Sequence, residues 1–159
     1  MVIDISPMNT GHKSAVMTIL KATSEFKVID VTTTEELINS FLANGVASGY
    51  HILIAQIAKK LSGYICFGPT PLTEGTWDVY WMAVSPDKKG QGIGSALLGR
   101  AEEEIQRLDG RMILIETSST VEYELTRRFY RHAGYNIICQ IPDFYSSADG
   151  LVVFQKRLR

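Results

Sequence analysis

The sequence is poor in the residues that build covalent or metal-stapled scaffolds. It holds two cysteines and three histidines in 159 residues. Two cysteines exclude a disulfide framework, and Cys66 and Cys139 each sit in an apolar, strand-like segment that suits a buried free thiol. His12, His51 and His132 are scattered with no metal-ligand spacing, so no metal is expected. No apolar run approaches the roughly 18 residues of a membrane span. Met1-Val2-Ile3-Asp4-Ile5 lacks the basic start and apolar core of a signal peptide, which makes a reducing cytoplasm the expected location. Charge of one sign is missing too. A formal net charge of −1 leaves no footprint for nucleic acid or an anionic membrane, and neither is expected as a partner. Internal repeats, low-complexity tracts and linkers are absent, so residues 1–159 read as one domain with enough apolar content, 45%, to bury a core.

Periodicity sets out the elements that are present. Val2 to Ile5 reads as a short strand and His12 to Phe26 as a helix with an apolar stripe at Val16, Ile19 and Leu20. Thr33 and Glu36 have the spacing of a capping box, which predicts a second helix from Thr33 to Asn44-Gly45. The period then becomes extended. Tyr50 to Ala58 and Leu61 to Phe67 form a predicted hairpin turning at Lys59-Lys60, and Thr76 to Val84 is the next strand. Ile93, Leu97, Ala101, Ile105 and Leu108 mark a helix closed by Asp109-Gly110. Met112 to Thr117 is an apolar run of the kind found in a central strand. A helix over Glu122 to His132 ends at Gly134. Two last strands, Ile137 to Ile141 and Leu151 to Lys156, flank a polar loop from Pro142 to Gly150. The expected fold is α/β: a mixed, mostly antiparallel sheet of six to seven strands with helices on both faces.

The most telling segment joins the strand ending at Val84 to the helix beginning near Ile93. It reads Ser85-Pro86-Asp87-Lys88-Lys89-Gly90-Gln91-Gly92-Ile93-Gly94-Ser95. Glycines in this position let the backbone take positive φ and come close to a ligand. The first amides of the helix have no partner within it and point outward with the positive end of the helix dipole, which suits a pyrophosphate. No Lys-Ser or Lys-Thr follows Gly94, so the Walker pattern is missing. The Gly-x-Gly-x-Gly spacing is not the dinucleotide fingerprint either.

Lys89-Gly90-Gln91-Gly92-Ile93-Gly94 resembles the Arg/Gln-x-x-Gly-x-Gly/Ala acyl-CoA loop of the GNAT acetyltransferases. Met82-Ala83-Val84-Ser85-Pro86 is similar to the strand end before that loop. Thr126-Arg127-Arg128-Phe129-Tyr130-Arg131-His132-Ala133-Gly134-Tyr135 is similar to the family's later Phe-Tyr-x-x-x-Gly-Phe/Tyr helix. Lys89 stands where Arg or Gln is more usual, at a position that acts mainly through its backbone. The resemblance covers the whole chain and is nearest in feel to the N-terminal-amine branch, which includes the ribosomal-protein-alanine acetyltransferases.

That resemblance implies an acetyl-CoA-dependent N-acetyltransferase. Its acceptor would be a primary amine, on a small molecule or a peptide, attacking directly in a ternary complex. Met82, Ala83 and Val84 would meet the pantetheine arm through their backbone, in a slot where Thr76–Val84 and Met112–Thr117 diverge. Lys89, Gly90, Gln91, Gly92, Ile93, Gly94 and Ser95 would hold the pyrophosphate, and Lys88, Arg127 and Arg128 are either further phosphate contacts or solvated surface. Tyr130 would protonate the leaving thiolate, a role that suits a phenol with an ordinary pKa of about 10. Glu116 is the first candidate base and Asp78 the second; each is otherwise a capped or salt-bridged strand end. By alternation, Asp78 should share a face with Tyr80, Met82 and Val84, opposite Trp77, Val79 and Trp81. The family's asparagine seven residues before the tyrosine is here Tyr123, in a segment about two residues longer, which separates this chain from the ribosomal-protein pattern. Tyr50, Trp77, Tyr80, Trp81, Phe144 and Tyr145 are candidate groove aromatics. Asp143 and Asp149 are either attractors of a cationic amine or solvated loop carboxylates. A homodimer is possible by the same resemblance. The alternative function is a non-catalytic acyl-CoA-binding module or sensor.

Overall fold

Seven strands make one sheet in the computed structural model, which describes residues 1–159. The elements in chain order are β1 (Asp4–Pro7), α1 (Lys13–Ala22), α2 (Val28–Asn44), β2 (His51–Ile57), β3 (Lys60–Pro69), β4 (Thr76–Val84), α3 (Ile93–Arg107), β5 (Met112–Ser118), α4 (Glu124–His132), β6 (Asn136–Ser146) and β7 (Asp149–Arg157). The sheet order is β1-β2-β3-β4-β5-β7-β6. Every pairing is antiparallel except β4 with β5, the two strands that α3 joins as a crossover. The expected mixed sheet with helices on both faces is therefore the one observed.

Each face has its own core. On one, Leu97, Leu98, Ala101 and Ile105 of α3 and Tyr130 of α4 pack on Ile65, Phe67, Val79, Ile113, Ile115 and Phe154. The helical spacing of the α3 residues puts them in one stripe, and their alternation along the strands puts the sheet residues on one side. Gly63 of β3 lets α3 come close: a Cβ there would lie 3.0 Å from the Ala83 carbonyl oxygen and 3.1 Å from Ile93 Cγ2. On the other face, Val16 and Leu20 of α1 and Ile38 and Phe41 of α2 pack on Ile52, Ile54, Tyr64 and Cys66. That second core takes its strand residues from β2, β3 and β4, and none from β5, β6 or β7. The α1/α2 side of the sheet is thus open beyond β4.

Four local expectations are corrected. The helix α2 starts at Val28, not after Thr33: Asp30 Oδ2 accepts the Lys27 amide at 2.8 Å and caps the earlier start, while Thr34 is buried in the helix interior. The β2–β3 turn is centred on Ala58 and Lys59, with φ of 49° and 65°, as the inverse turn of a two-residue hairpin requires. Pro142–Gly150 is not a simple loop. β6 runs on to Ser146, and residues 142–145 make an outward excursion opposite Gly150, held by the Ala148 amide donating to Asp143 Oδ1 at 2.7 Å. Cys66 is buried, but Cys139 lies exposed on the edge strand β6.

Candidate active site between β4 and β5

The parallel pairing of β4 and β5 is short. It runs from Thr76–Met112 to Val79–Ile115 and then stops, although β4 continues to Val84 and β5 to Ser118. From Trp81 to Val84 one edge of β4 stays paired with β3 while the other edge has no strand partner. Unpaired amides and carbonyls in the middle of a sheet are donors and acceptors waiting for an extended ligand. The gap opens at the end of β4 that leads into the glycine loop.

A bulge shapes the wall of this gap. Val79 faces Phe67 and Trp81 faces Cys66, which leaves Tyr80 as an extra residue in β4. The alternation changes phase there. Met82 and Val84 pack on the α3/α4 side with Trp77 and Val79, whereas Tyr80, Trp81 and Ala83 pack on the α1/α2 side. The expected grouping of Asp78 with Met82 and Val84 is overturned: Asp78 keeps only Tyr80 as a same-face neighbour, because alternation cannot count through a bulge.

Beyond the gap, Gly90 and Gly92 have φ of 79° and 83°, in the left-handed region, and a Cβ on either would meet nothing within 4 Å. Gly92 is the N-cap of α3, and Ala96 N–H makes the bond to the Gly92 carbonyl at 3.0 Å. The amides of Ile93, Gly94 and Ser95 precede that ladder and remain free to bind an anion. The loop therefore presents open space above Gly90 and Gly92 beside the first amides of α3.

Tyr130 lies on the α3/α4 side, 5% exposed, with its ring against Phe129, Tyr135 and Phe154. Its hydroxyl has no hydrogen-bond partner, and it is not among the unpartnered oxygens that are fully sealed from solvent. Burial, and secondly the charge of Tyr123, pushes its phenol well above the ordinary value. Thr117 is on the same side of β5, and its Oγ1 is sealed from solvent without a partner. Glu116 is on the opposite side. It is exposed, and it is the first β5 residue past the end of the β4 pairing. Asp78 lies within the paired stretch, opposite Leu114, and its Oδ2 accepts the Thr70 hydroxyl at 2.6 Å. The gap thus connects the two faces of the sheet, with an unpartnered phenol on one and a free carboxylate on the other.

Several contacts at this site had no sequence signal. The α1–α2 connection straps over the α1/α2 mouth. The Tyr123 hydroxyl donates to the Glu25 carbonyl at 3.2 Å, and the Glu25 carboxylate pairs with Lys89 at 3.8 Å. Asp149 Oδ1 accepts the Ser118 hydroxyl at 2.5 Å. Arg127 donates to the carbonyls of Ser118 and Thr120 at 2.8 and 2.7 Å and so fixes the β5–α4 turn. Among the candidate aromatics, Trp77 is core. Tyr50 and Tyr80 pack edge to face at 5.5 Å, and Phe144 and Tyr145 are half-exposed on the β6 excursion. No group of three or more His, Cys, Asp or Glu side chains is placed to hold a metal, and no helix is long and apolar enough to cross a membrane.

Comparison with known proteins adds three findings. The model of the acetyltransferase (GNAT) domain family matches residues 48–137, which include β4, the glycine loop and α4. A crystal structure from Desulfovibrio desulfuricans assigned to the GNAT family is 31% identical. It aligns over 99% of this chain and 100% of that one, with a TM-score of 0.96. The ribosomal-protein-S18-alanine N-acetyltransferase from Escherichia coli (16% identity, 99% and 94% covered, TM-score 0.80) shares the fold. So does an aminoglycoside 6'-N-acetyltransferase complexed with coenzyme A (20% identity, 100% and 98% covered, TM-score 0.77). A search of curated proteins finds no match.

Proposed function

The chain belongs to the GNAT acetyltransferases, and from that premise we propose that it transfers an acetyl group from acetyl-CoA to a primary amine by direct attack in a ternary complex. The observation that carries the reading is the early end of the β4–β5 pairing at Val79–Ile115, with Tyr130 on the α3/α4 face of the sheet and Glu116 on the opposite face. The residues present fit the cosubstrate. The free edge of Met82, Ala83 and Val84 matches an amide-bearing arm, the sealed Thr117 hydroxyl lacks a partner, and the loop from Lys89 to Ser95 leaves open space above its glycines. When bound, acetyl-CoA supplies the acetyl group as an activated thioester.

The protein's own residues divide the remaining work. The carboxylate of Glu116 takes the proton that an ammonium acceptor must lose before its nitrogen can attack, directly or through one water. Asp78 is the second candidate, but Thr70 already occupies one of its oxygens. Tyr130 keeps its proton at Oη, because burial disfavours the phenolate, and delivers it to the departing sulfur. The reaction needs no enzyme nucleophile, so the lack of a Ser-His or Cys-His pair is consistent with it. The test is acetyl-CoA-dependent thiol release over a panel of amines and peptides. Release that one acceptor class stimulates, and that Glu116→Gln reduces at least about 100-fold, is expected for a lost general base. Coenzyme A binding without release on any acceptor would leave a binding module in place of an enzyme.

A further inference from the structure

We propose that the outer edge of β6 is a self-association surface: it pairs antiparallel with the same edge of a second copy of this chain, about a two-fold axis near Cys139. The proposal is independent of the acetyltransferase reading. β6 ends the sheet and pairs with β7 alone, so its outer edge presents a row of amides and carbonyls with no strand partner. It runs for 11 residues, and all but Ile137 are exposed. The core on the α1/α2 side takes nothing from β5, β6 or β7, so that side of the edge is uncovered as well. There the ladder lines up Glu116, Val153 and Cys139 in one row and Ser118, Leu151 and Ile141 in the next. Ile138 and Ile141 are 50% and 43% exposed.

The two ends of the sheet differ in how they are protected. β1, the other edge, is four residues long and carries Asp4 and Pro7. Short length, charge and proline are the ordinary devices that keep an edge from pairing. Asn136–Ile141 has no charge, no proline and no glycine, and three of its residues are isoleucine. Such a stretch on an open edge is a template for another strand. Its neutrality selects a second copy. An antiparallel two-fold contact sets each residue opposite a residue of the same stretch, so any lysine or glutamate would face its own kind across the ladder. Asn136–Ile141 holds nothing that would repel its copy. The first charge beyond it, Asp143, accepts the Ala148 amide at 2.7 Å.

The same features close the contact at two copies. Pro142 and the excursion after it stop the pairable run at Ile141, and the bulge at Ile138 keeps the ladder short. Joined β6 to β6, two seven-stranded sheets become one continuous sheet whose free edges are both β1. Those edges are blunt. Pairing of β6 with β1 of another copy would be head-to-tail and open-ended, and the four-residue β1 with Pro7 is a poor template for it. Size sets the strength. A standard interface takes about 800 Å² from each partner, roughly a tenth of this protein's 8738 Å². A six-residue ladder flanked by Phe144 and Tyr145, whose half-exposed rings offer on the order of 200 Å² between them, reaches the lower part of that class. The pair is therefore reversible.

The test is sedimentation equilibrium of the wild-type chain from about 1 to 100 μM, the range of a reversible contact. The mass is expected to rise from 17.7 kDa to twice that value and no further. Ile138→Lys together with Gln140→Lys sets like charges against one another across the two-fold and should weaken association about tenfold, with far-UV circular dichroism showing that the variant is folded. A second readout uses the unaltered chain. Cys139 is exposed and Cys66 is buried. In the two-fold pairing the two Cys139 residues lie within about 10 Å of each other. A short bismaleimide should therefore link wild-type chains in pairs and leave Cys139→Ser chains single, and this link decides alone if the lysines unfold the protein. A single 17.7 kDa species throughout the range, a pair untouched by the folded lysine variant, absence of the Cys139 link, or mass growing beyond two copies would each overturn the proposal. So would β6 amides that become protected from hydrogen exchange only when a short peptide is added, which would give the edge to a peptide strand.

Discussion

Replacing Tyr130 by Phe removes only the oxygen proposed as the acid, and the structure says what else should and should not change. The ring contacts to Phe129, Tyr135 and Phe154, with centroids 5.5, 6.1 and 5.7 Å away, do not involve the hydroxyl. The hydroxyl makes no hydrogen bond, so no partner is stranded by its loss. Stability should therefore change by less than about 0.5 kcal/mol, the ordinary range for a substitution that leaves no cavity and no orphan. In a chain of this size that is a shift of at most about 2 °C in thermal midpoint. Turnover should fall much further. Positioned proton transfer contributes roughly 100-fold or more, about 2.7 kcal/mol of barrier. Because burial raises the phenol, Tyr130 remains protonated through the alkaline range, and the wild-type profile should show no loss of the acid below about pH 10. The assay is thiol release under saturating acetyl-CoA, with coenzyme A affinity measured by calorimetry. A Phe variant with unchanged kcat, or one whose kcat loss tracks a drop of several degrees in melting, would refute the acid role.

Other consequences follow from the same geometry. Gly92→Ala places a Cβ in open space but at φ 83°, so the cost is backbone strain of about 1–2 kcal/mol, and the main effect should be weaker coenzyme A binding by calorimetry. Gly68→Ala should destabilise more than Gly63→Ala in urea unfolding. The new Cβ at Gly68 meets the Gly49 carbonyl oxygen, whereas at Gly63 it crowds Ala83, Ile93 and Leu97 at 3.0–3.2 Å, an overpacking worth about 1–3 kcal/mol. His51 is stacked on Phe67 at 5.2 Å, and burial lowers its pKa, a shift that Glu104 partly offsets. Below about pH 6.5 the unfolded chain binds the proton more readily than the folded one, so His51's contribution to stability is present above that pH and falls as pH drops through the lowered value. Unfolding midpoints of His51→Gln at pH 7.5 and 5.5 should differ less than those of wild type.

Local features of this fold could be read from the chain because they are coded locally. The apolar strand, the glycines and the α3 stripe from Ile93 to Ile105 lie within a few turns of one another, and both helix period and turn chemistry act at that range. The split between β4 and β5 was anticipated only through resemblance, since nothing in Thr76–Val84 says where its partner stops. The bulge at Tyr80 arises from pairing with β3 and was invisible to alternation. The start of α2 went to Val28 because the bond from the Lys27 amide to Asp30 outcompeted the capping-box pattern at Thr33. The strap between Glu25 and Tyr123 joins residues 98 apart in sequence, so no local pattern carries it. The β6 excursion was legible as irregular, from Pro142 onward, but not as a strand that resumes at Ser146.

If the opening between β4 and β5 holds acetyl-CoA, isothermal calorimetry of the 159-residue protein with acetyl-CoA will read it without any acceptor. Saturable binding of one molecule per chain is expected, weakened in Gly92→Ala and retained in Tyr130→Phe. Absence of binding, or binding indifferent to Gly92, would contradict it.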